Sequence, residues 1–366
     1  MAAIPKPDSI IDAIDRAFVA KAELTPRGHL GASVLGKECE RQAWYGFRWA
    51  LIENQFSGRM LRLFARGQRE EEWFATLLKL AGCEVQLTDS NGQQFRFFEP
   101  ELGGHCSGSL DGIASGIPEA PETFHVLEFK THNAKSFAKL VKDGVQKSKP
   151  EHFGQMQLYM RWTDLDRALY LAVNKDDDSL YAERVAYDPA HADTLVNKAR
   201  RVIEAQTPPS RLSDDPAFFT CKFCDFHGIC HGRELPSVTC RTCLHSTPVV
   251  DTTVDAKWHC AKWDGHIPIE ESLKAQPCHR YIPALIPWAE AVDATDDGDV
   301  RYLIADGRQF MNGESQGAYA SPELRDADPS LIGNPEVEEL RAKADGRFIK
   351  VAEAYEYCDT EEEVPF

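Results

Sequence analysis

The stretch "SIIDAIDRAFVAK" puts Ile10, Ile11, Ile14, Ala17 and Phe18 on one face of a helix that Ser9 is suited to cap. Residues 1–80 continue mainly helical: "SGRMLRLFARGQREEEWFATLLKLAG" repeats apolar positions at helical spacing and ends near Gly82. From Glu84 to about Val126 the pattern changes to short strands broken by "SNGQQ" and "SGIPEAPET". "HVLEFKT" (125–131) alternates as a strand, with Leu127 and Phe129 on one face and Glu128 and Lys130 on the other. A helix over 151–163 follows, then a hairpin in "RALYLAVNKDDDSLYAERVAYD" turning at "DDDS", then a helix over roughly 190–206. "TPPSRLSDDP" reads as a linker into a cysteine-rich segment, and residues 286–366 are acidic and weakly patterned.

Helices and strands in this order predict an α/β chain, and 366 residues suffice for one main domain with smaller appendages. No run of about 18 apolar residues exists, and the start lacks the basic and continuous apolar segments of an export signal, so a cytoplasmic protein is expected.

Eleven cysteines in such a chain point to metal ligation rather than a disulfide framework. Seven fall between 221 and 278, while Cys83, Cys106 and Cys358 stand apart as incidental thiols. The net charge of −17 argues against a nucleic-acid partner, but charge is local. Residues 131–149 hold five lysines, Lys135, Lys139, Lys142, Lys147 and Lys149, against one aspartate. That strip is either a track for phosphates or a solvated helix face.

"GSLDG" supplies Asp111, and "LEFKT" supplies Glu128 and Lys130 on one strand face. Converging carboxylates suit a hard divalent cation, and a lysine beside them can orient a water and stabilise charge developing on a phosphate. Glu-x-Lys alone also describes any half-exposed strand. The next helix adds Gln155 and Tyr159 at i, i+4, with Phe153, Met156 and Met160 able to pack inward.

Asp111, Glu128-x-Lys130 and Gln155-x-x-x-Tyr159, in that order and spacing, resemble the PD-(D/E)XK nuclease superfamily. Within it they look like the RecB-like branch that includes the CRISPR-adaptation nucleases, and a phage-type exonuclease is the nearest description. Asp111 follows Ser-Leu where the nominal pattern has a proline. The resemblance covers roughly residues 30–235 and implies a restriction-endonuclease-like core, a central mixed sheet flanked by helices. It implies a metal-dependent deoxyribonuclease, an exonuclease acting on DNA ends or single strands in recombination or DNA processing, with a recombination protein as a candidate partner. Asp111, Glu128 and the Phe129 backbone carbonyl would hold Mg²⁺ or Mn²⁺, Lys130 would position the water, and Gln155 and Tyr159 would contact the DNA strand. Glu71 in "RGQREEEWF" is the expected further metal-facing acid, with Glu70 and Glu72 competing. His105 shares strand parity with Asp111 and could reach the same cleft, or lie on the surface.

The resemblance also suggests a [4Fe-4S] cluster, whose ligands in such nucleases are one cysteine before the core and three after it. Here Cys39 in "GKECERQAWYGFRW" precedes the core, and Cys221, Cys224 and Cys230 follow as C-x2-C-x5-C. Four thiolates suit such a cluster, which would staple the N-terminal helices to the end of the nuclease domain. The alternative is a Cys₃His zinc knuckle using His227 or His231. A second group, Cys240, Cys243, Cys260 and Cys278, reads C-x2-C-x16-C-x17-C and suggests structural zinc, with His245, His259 and His279 as substitutes.

The expected organisation is a nuclease domain with its clamp over 1–235, a zinc module over 236–285 and an acidic region over 286–366. The rivals from other classes are a non-hydrolytic DNA-binding adaptor on the same fold and an iron–sulfur redox sensor; no nicotinamide or flavin fingerprint supports a redox enzyme.

Overall fold

A computed structural model describes residues 9–22, 27–52, 56–251, 253–267, 278, 281–296, 298–344 and 346. The "DTEEEVPF" tail, Cys358 and His279 lie outside them. Its centre is a mixed five-stranded sheet in the order β2 (Glu84–Gln86), β5 (Gly112–Ser115), β6 (His125–His132), β7 (Arg167–Asn174), β8 (Leu180–Ala186). Only β6 and β7 run parallel. Their crossover carries α5 (Ala134–Ser148) and α6 (Pro150–Thr163), as a parallel pair requires.

The alternation in "HVLEFKT" sorts the two faces of β6. Leu127 and Phe129 join a cluster under α4 (Gly58–Leu80), where Phe74 stacks on Phe129 with ring centroids 5.1 Å apart. The other face is covered by α6, α7 (Pro189–Glu204), α2 (Ala32–Leu35) and α3 (Glu40–Phe47) through the largest core cluster. Phe153, Met156 and Met160 of α6 are buried there, as their spacing predicts. β7 and β8 form the hairpin expected around "DDDS". Ser9 caps α1 (Ile10–Lys21) with a capping box. The apolar face of α1, however, is not buried: no residue of that helix is, and Ile10 and Ile11 are largely exposed.

A smaller sheet, β1 (Leu30–Gly31), β4 (Cys106–Ser109) and β3 (Arg96–Phe98), sits beside the central one. The chain leaves it at Leu110 and enters β5 at Gly112, so Asp111 occupies the junction of the two sheets.

The cysteine-rich segment forms a third sheet of β9 (Ser246–Pro248), β10 (Trp258–Cys260) and β11 (Gly265–Ile267). Residues 286–366, weakly patterned in sequence, contain a fourth: β12 (Ala289–Ala294), β13 (Val300–Ile304) and β14 (Gln309–Asn312). They bury Val300, Tyr302, Ile304 and Phe310 with Ile282, Ile286 and Tyr319 as a separate core. Among the described residues no helix is long and apolar enough to cross a membrane.

Candidate active site

Gly112 pairs with Leu127, so Asp111, one residue earlier, falls opposite Glu128. Asp111 Oδ2 accepts a hydrogen bond from the Phe129 N–H at 2.7 Å. Glu128 is fully buried, forms an ion pair with Lys130 Nζ, and otherwise leaves both carboxylate oxygens without a hydrogen-bond partner. Lys130 Nζ also donates to the Phe129 carbonyl at 3.0 Å. Glu128, the Phe129 main chain and Lys130, consecutive on one strand, and Asp111 from the neighbouring junction therefore form a single knot.

The electrostatics show how strongly these groups bear on one another. Burial pushes the Glu128 carboxyl up to about 7, against the pull of Lys130, with Asp111 and Glu71 adding to the rise. Burial raises Asp111 too, while Lys130 and the Phe129 N–H oppose it. Burial alone would lower Lys130, but Glu128, Asp111 and Glu71 outweigh it and hold the ammonium above its ordinary range.

Glu71 belongs to this group, whereas its neighbours face elsewhere. Burial and then the Asp111 carboxylate push Glu71 up to about 7, with Lys130 opposing. Glu70 pairs instead with Arg66 at 3.8 Å, and Glu72 is exposed. The helical phase of α4, set by Phe74 and Ala75 in the core, is what selects the middle acid.

From α6, Gln155 Nε2 donates to Tyr159 Oη at 2.9 Å. Burial raises the Tyr159 phenol well above its usual range, and the Glu128 carboxylate adds to this, so the pair borders the acidic knot. Gly108 makes room for it: a Cβ there would lie 2.5 Å from Tyr159 Cε1.

His105 is not part of this site. It is buried, 5.7 Å from the Phe47 ring and 5.9 Å from the Trp258 ring by centroids, with Nε2 3.2 Å from the Val249 carbonyl. Burial, then Arg241, lowers it to about 4. Parity with Asp111 fails because the chain changes sheets between them.

The lysines divide. Lys135, Lys139 and Lys142 are exposed on α5, but Gly144 (φ 71°) breaks the helix before Lys147 and Lys149. They do not form one continuous stripe.

Oxygen donors with unsatisfied buried lone pairs, as at Glu128, fit a hard divalent cation by chemistry. Among the described residues, no three His, Cys, Asp or Glu side chains converge closely enough to bind a single ion as they stand.

Cys39, Cys221, Cys224 and Cys230 line one concave space, together with Arg41, Gln42, Tyr45, His227 and His231. Cys39 caps α3, its Sγ accepting from the Gln42 N–H at 3.4 Å. Arg41 reaches Tyr45 Oη at 2.9 Å and the Pro209 carbonyl at 2.8 Å, holding the helix against the segment that leads to the other cysteines. A donor set of four thiols round one space fits a sulfur-ligated cluster. In the second group, Cys243 donates its N–H to the Cys240 carbonyl at 3.1 Å, and Cys260 pairs with Ser246 across β9 and β10. Burial pushes the Cys243 thiol up to about 12, with Cys278 and Cys260 adding to the rise.

Two features escaped the sequence. His132, Tyr170 and His152 form a hydrogen-bonded chain beside Lys130; the first is visible as the next residue on the Glu128–Lys130 face, but the other two carry no local signal. Arg48 and Arg241, both buried, stack on Trp258 with Cζ 5.1 and 4.9 Å from its ring centroid.

No protein-family profile matches the sequence, and no curated protein matches it. Among solved structures, the crystal structure of SSO0001 is 16% identical, with 61% of this chain and 96% of that chain covered, at a TM-score of 0.39. An alkaline exonuclease from Laribacter hongkongensis, LHK-Exo, is 20% identical, with 51% of this chain and 90% of that chain covered, at a TM-score of 0.35. The complex of LHK-Exo with dAMP gives 20% identity, coverage of 50% and 88%, and a TM-score of 0.32.

Proposed function

We propose that this chain is a metal-dependent DNA nuclease of the PD-(D/E)XK type, acting as an exonuclease in recombination or DNA processing. The observation that carries the reading is the knot at the sheet junction: Asp111 tied to the Phe129 N–H, Glu128 buried with unsatisfied oxygens, and Lys130 held charged between them. Burying Glu128 against a half-buried carboxylate and a half-buried lysine costs more stability than an apolar replacement would, so function is the better reason for the arrangement.

Asp111, Glu128 and the Phe129 carbonyl would hold Mg²⁺ or Mn²⁺, with Glu71 facing them. When bound, the cation supplies Lewis-acid stabilisation of the phosphate and its leaving oxygen. Lys130 orients the attacking water and offsets negative charge at the phosphate. Gln155 and Tyr159 present polar atoms to the DNA strand, and Lys135, Lys139 and Lys142 offer positive charge along its path. Cys39, Cys221, Cys224 and Cys230 would ligate a [4Fe-4S] cluster of structural role, and the second cysteine group would bind zinc.

The test is Mg²⁺- or Mn²⁺-dependent cleavage of end-labelled single- and double-stranded DNA by protein purified without oxygen, beside Lys130→Ala. Cleavage by wild type, lost in the variant while DNA binding persists, is the expected result. Folded, metal-supplied wild type that binds DNA and never cuts it would make the chain an adaptor instead.

A further inference from the structure

Beside Lys130 lies a second set of polar side chains that the chemistry above leaves unused. His132 follows Lys130 by two residues on β6 and so shares its face. Tyr170 on β7 stands in register with Glu128, and His152 lies on α6 one turn before Gln155. Tyr170 Oη is 2.9 Å from His132 Nε2 and 2.9 Å from His152 Nδ1. His132 Nδ1 is 3.1 Å from Ser136 Oγ. His132 and Tyr170 are buried, whereas His152 and Ser136, at the two ends, are partly exposed.

A phenol has one proton, so Tyr170 donates to one imidazole and accepts from the other. Two arrangements satisfy every member. In one, His152 carries its proton on Nδ1 and offers a bare Nε2; in the other, His152 accepts from Tyr170 at Nδ1 and carries the proton on Nε2. His132 changes tautomer in step. The chain thus passes a proton from His152 Nε2 to Ser136 without either ring becoming an imidazolium.

The surroundings favour neutral rings. Burial, then Lys149, Lys130 and Lys175, lowers His132 to about 4. Burial, then Lys130, His132 and Lys149, lowers His152 to about 2. Glu128, Glu151 and Glu183 face Tyr170 from the acidic side, and Glu151 lies 3.9 Å from His152 Nε2. His152 precedes Gln155 and Tyr159 by one and two turns on α6, and His132 shares the Lys130 face of β6, so the chain runs beside the water-orienting lysine.

We propose that His152, Tyr170, His132 and Ser136 form a proton relay serving the Lys130 site, a role that rests on the nuclease reading. As the attacking water's oxygen bonds to phosphorus, its proton passes to His152 Nε2. Nδ1–H of His152 passes to Tyr170 Oη, the Tyr170 proton to His132 Nε2, and His132 Nδ1–H to Ser136 Oγ, whose own proton leaves to solvent. The ester bond to the leaving oxygen breaks with its electron pair, and that oxygen takes a proton from solvent. Each relay group ends with as many protons as it began with.

The experiment compares wild type, Tyr170→Phe and His152→Gln in single-turnover cleavage, DNA affinity and solvent deuterium isotope effect, with ¹⁵N NMR of the histidines in wild type. The relay predicts a rate loss of roughly 100-fold in both variants, the low end for a positioned proton-transfer group, with DNA affinity kept and the isotope effect diminished. It also predicts neutral His132 and His152 exchanging between tautomers, a readout that stands even if Tyr170→Phe fails to fold. Variants that cut as fast as wild type, variants that lose only DNA affinity, or histidines locked in one tautomer would each overturn the relay while leaving the nuclease reading intact. Wild type that never cuts would overturn the nuclease reading, and the relay's role with it.

Discussion

Asp111 Oδ2 and the Phe129 main-chain N–H are 2.7 Å apart, so the carboxylate from the sheet junction is fastened to the very strand that carries Glu128 and Lys130. The bond fixes one acid by backbone geometry, leaving the other, Glu128, to be held by Lys130 and burial alone. A site with more carboxylates than compensating cations should respond to pH in a defined direction.

Glu71 gives the cleanest handle on that response. Its carboxyl is raised from 4.5 to about 7 by burial and then by Asp111. Below the unfolded value it is protonated in both folded and unfolded chains and its favourable contribution is complete; that contribution is lost as pH rises through the folded value. Without divalent metal, Glu71→Gln should match wild type near pH 4.5 and exceed it by about 1–2 kcal/mol near pH 8 in urea melts. Added Mg²⁺ should narrow or reverse the gap. The same gap at both pH values would show that Glu71 is not held against its charge.

Gly108 tests the Gln155–Tyr159 pair without touching a polar group. A Cβ at Gly108 would sit 2.5 Å from Tyr159 Cε1 and 3.1 Å from its Oη, so Gly108→Ala must displace the ring. The expected cost is about 1–3 kcal/mol of stability. Cleavage should fall even at temperatures where the variant is fully folded. Gly67→Ala is the counterpart: its Cβ meets nothing within 4 Å, and it should stabilise α4 by up to about 1 kcal/mol. Calorimetry of both variants decides whether the close approach matters.

How far the sequence revealed this arrangement depended on whether the signal was local. Glu128 and Lys130 alternate within one strand, and Gln155 and Tyr159 are one helical turn apart, so both pairs could be read directly. The choice of Glu71 over Glu70 and Glu72 needed the phase of α4 against the sheet, which Phe74 sets. His105 was misplaced because parity holds only within a strand, and the chain changes sheets before Asp111. The core around Tyr302, Phe310 and Tyr319 was hidden among acidic residues, since its apolar positions are thinly spread along the chain.

Cys39 should prove inseparable from the three distant cysteines. It lines one space with Cys221, Cys224 and Cys230, although it belongs to the N-terminal helices. Anaerobically purified wild type is expected to carry about four iron and four sulfide per chain, with broad visible absorbance. Cys39→Ser should lose most of that iron and lower the melting temperature, while Cys83→Ser, remote from the space, should keep its iron. Full iron content in Cys39→Ser would leave the cluster to other ligands.

Arg241 holds the cysteine-rich segment to the core, and its geometry says which property of arginine matters. It donates to the Phe47 carbonyl at 3.1 Å and the Gly28 carbonyl at 3.0 Å, with its guanidinium carbon 3.7 Å from the Trp49 ring centroid. Arg48 reaches back to the Arg241 carbonyl at 3.1 Å and the Ser246 carbonyl at 3.2 Å. Among the described residues neither arginine pairs with a carboxylate, and burial, reinforced for Arg241 by Arg48, lowers Arg48 to about 10 and Arg241 to about 9. Charge is therefore a burden here, while the planar fork and the stacking are the gain. Lysine keeps the burden and forfeits the fork; methionine forfeits the fork and sheds the burden. Arg241→Lys should cost about 2–4 kcal/mol and be no milder than Arg241→Met, with residues 236–260 becoming the first site of proteolytic attack in both. If lysine restored near-wild-type stability while methionine did not, the charge itself would be what binds the segment to the core.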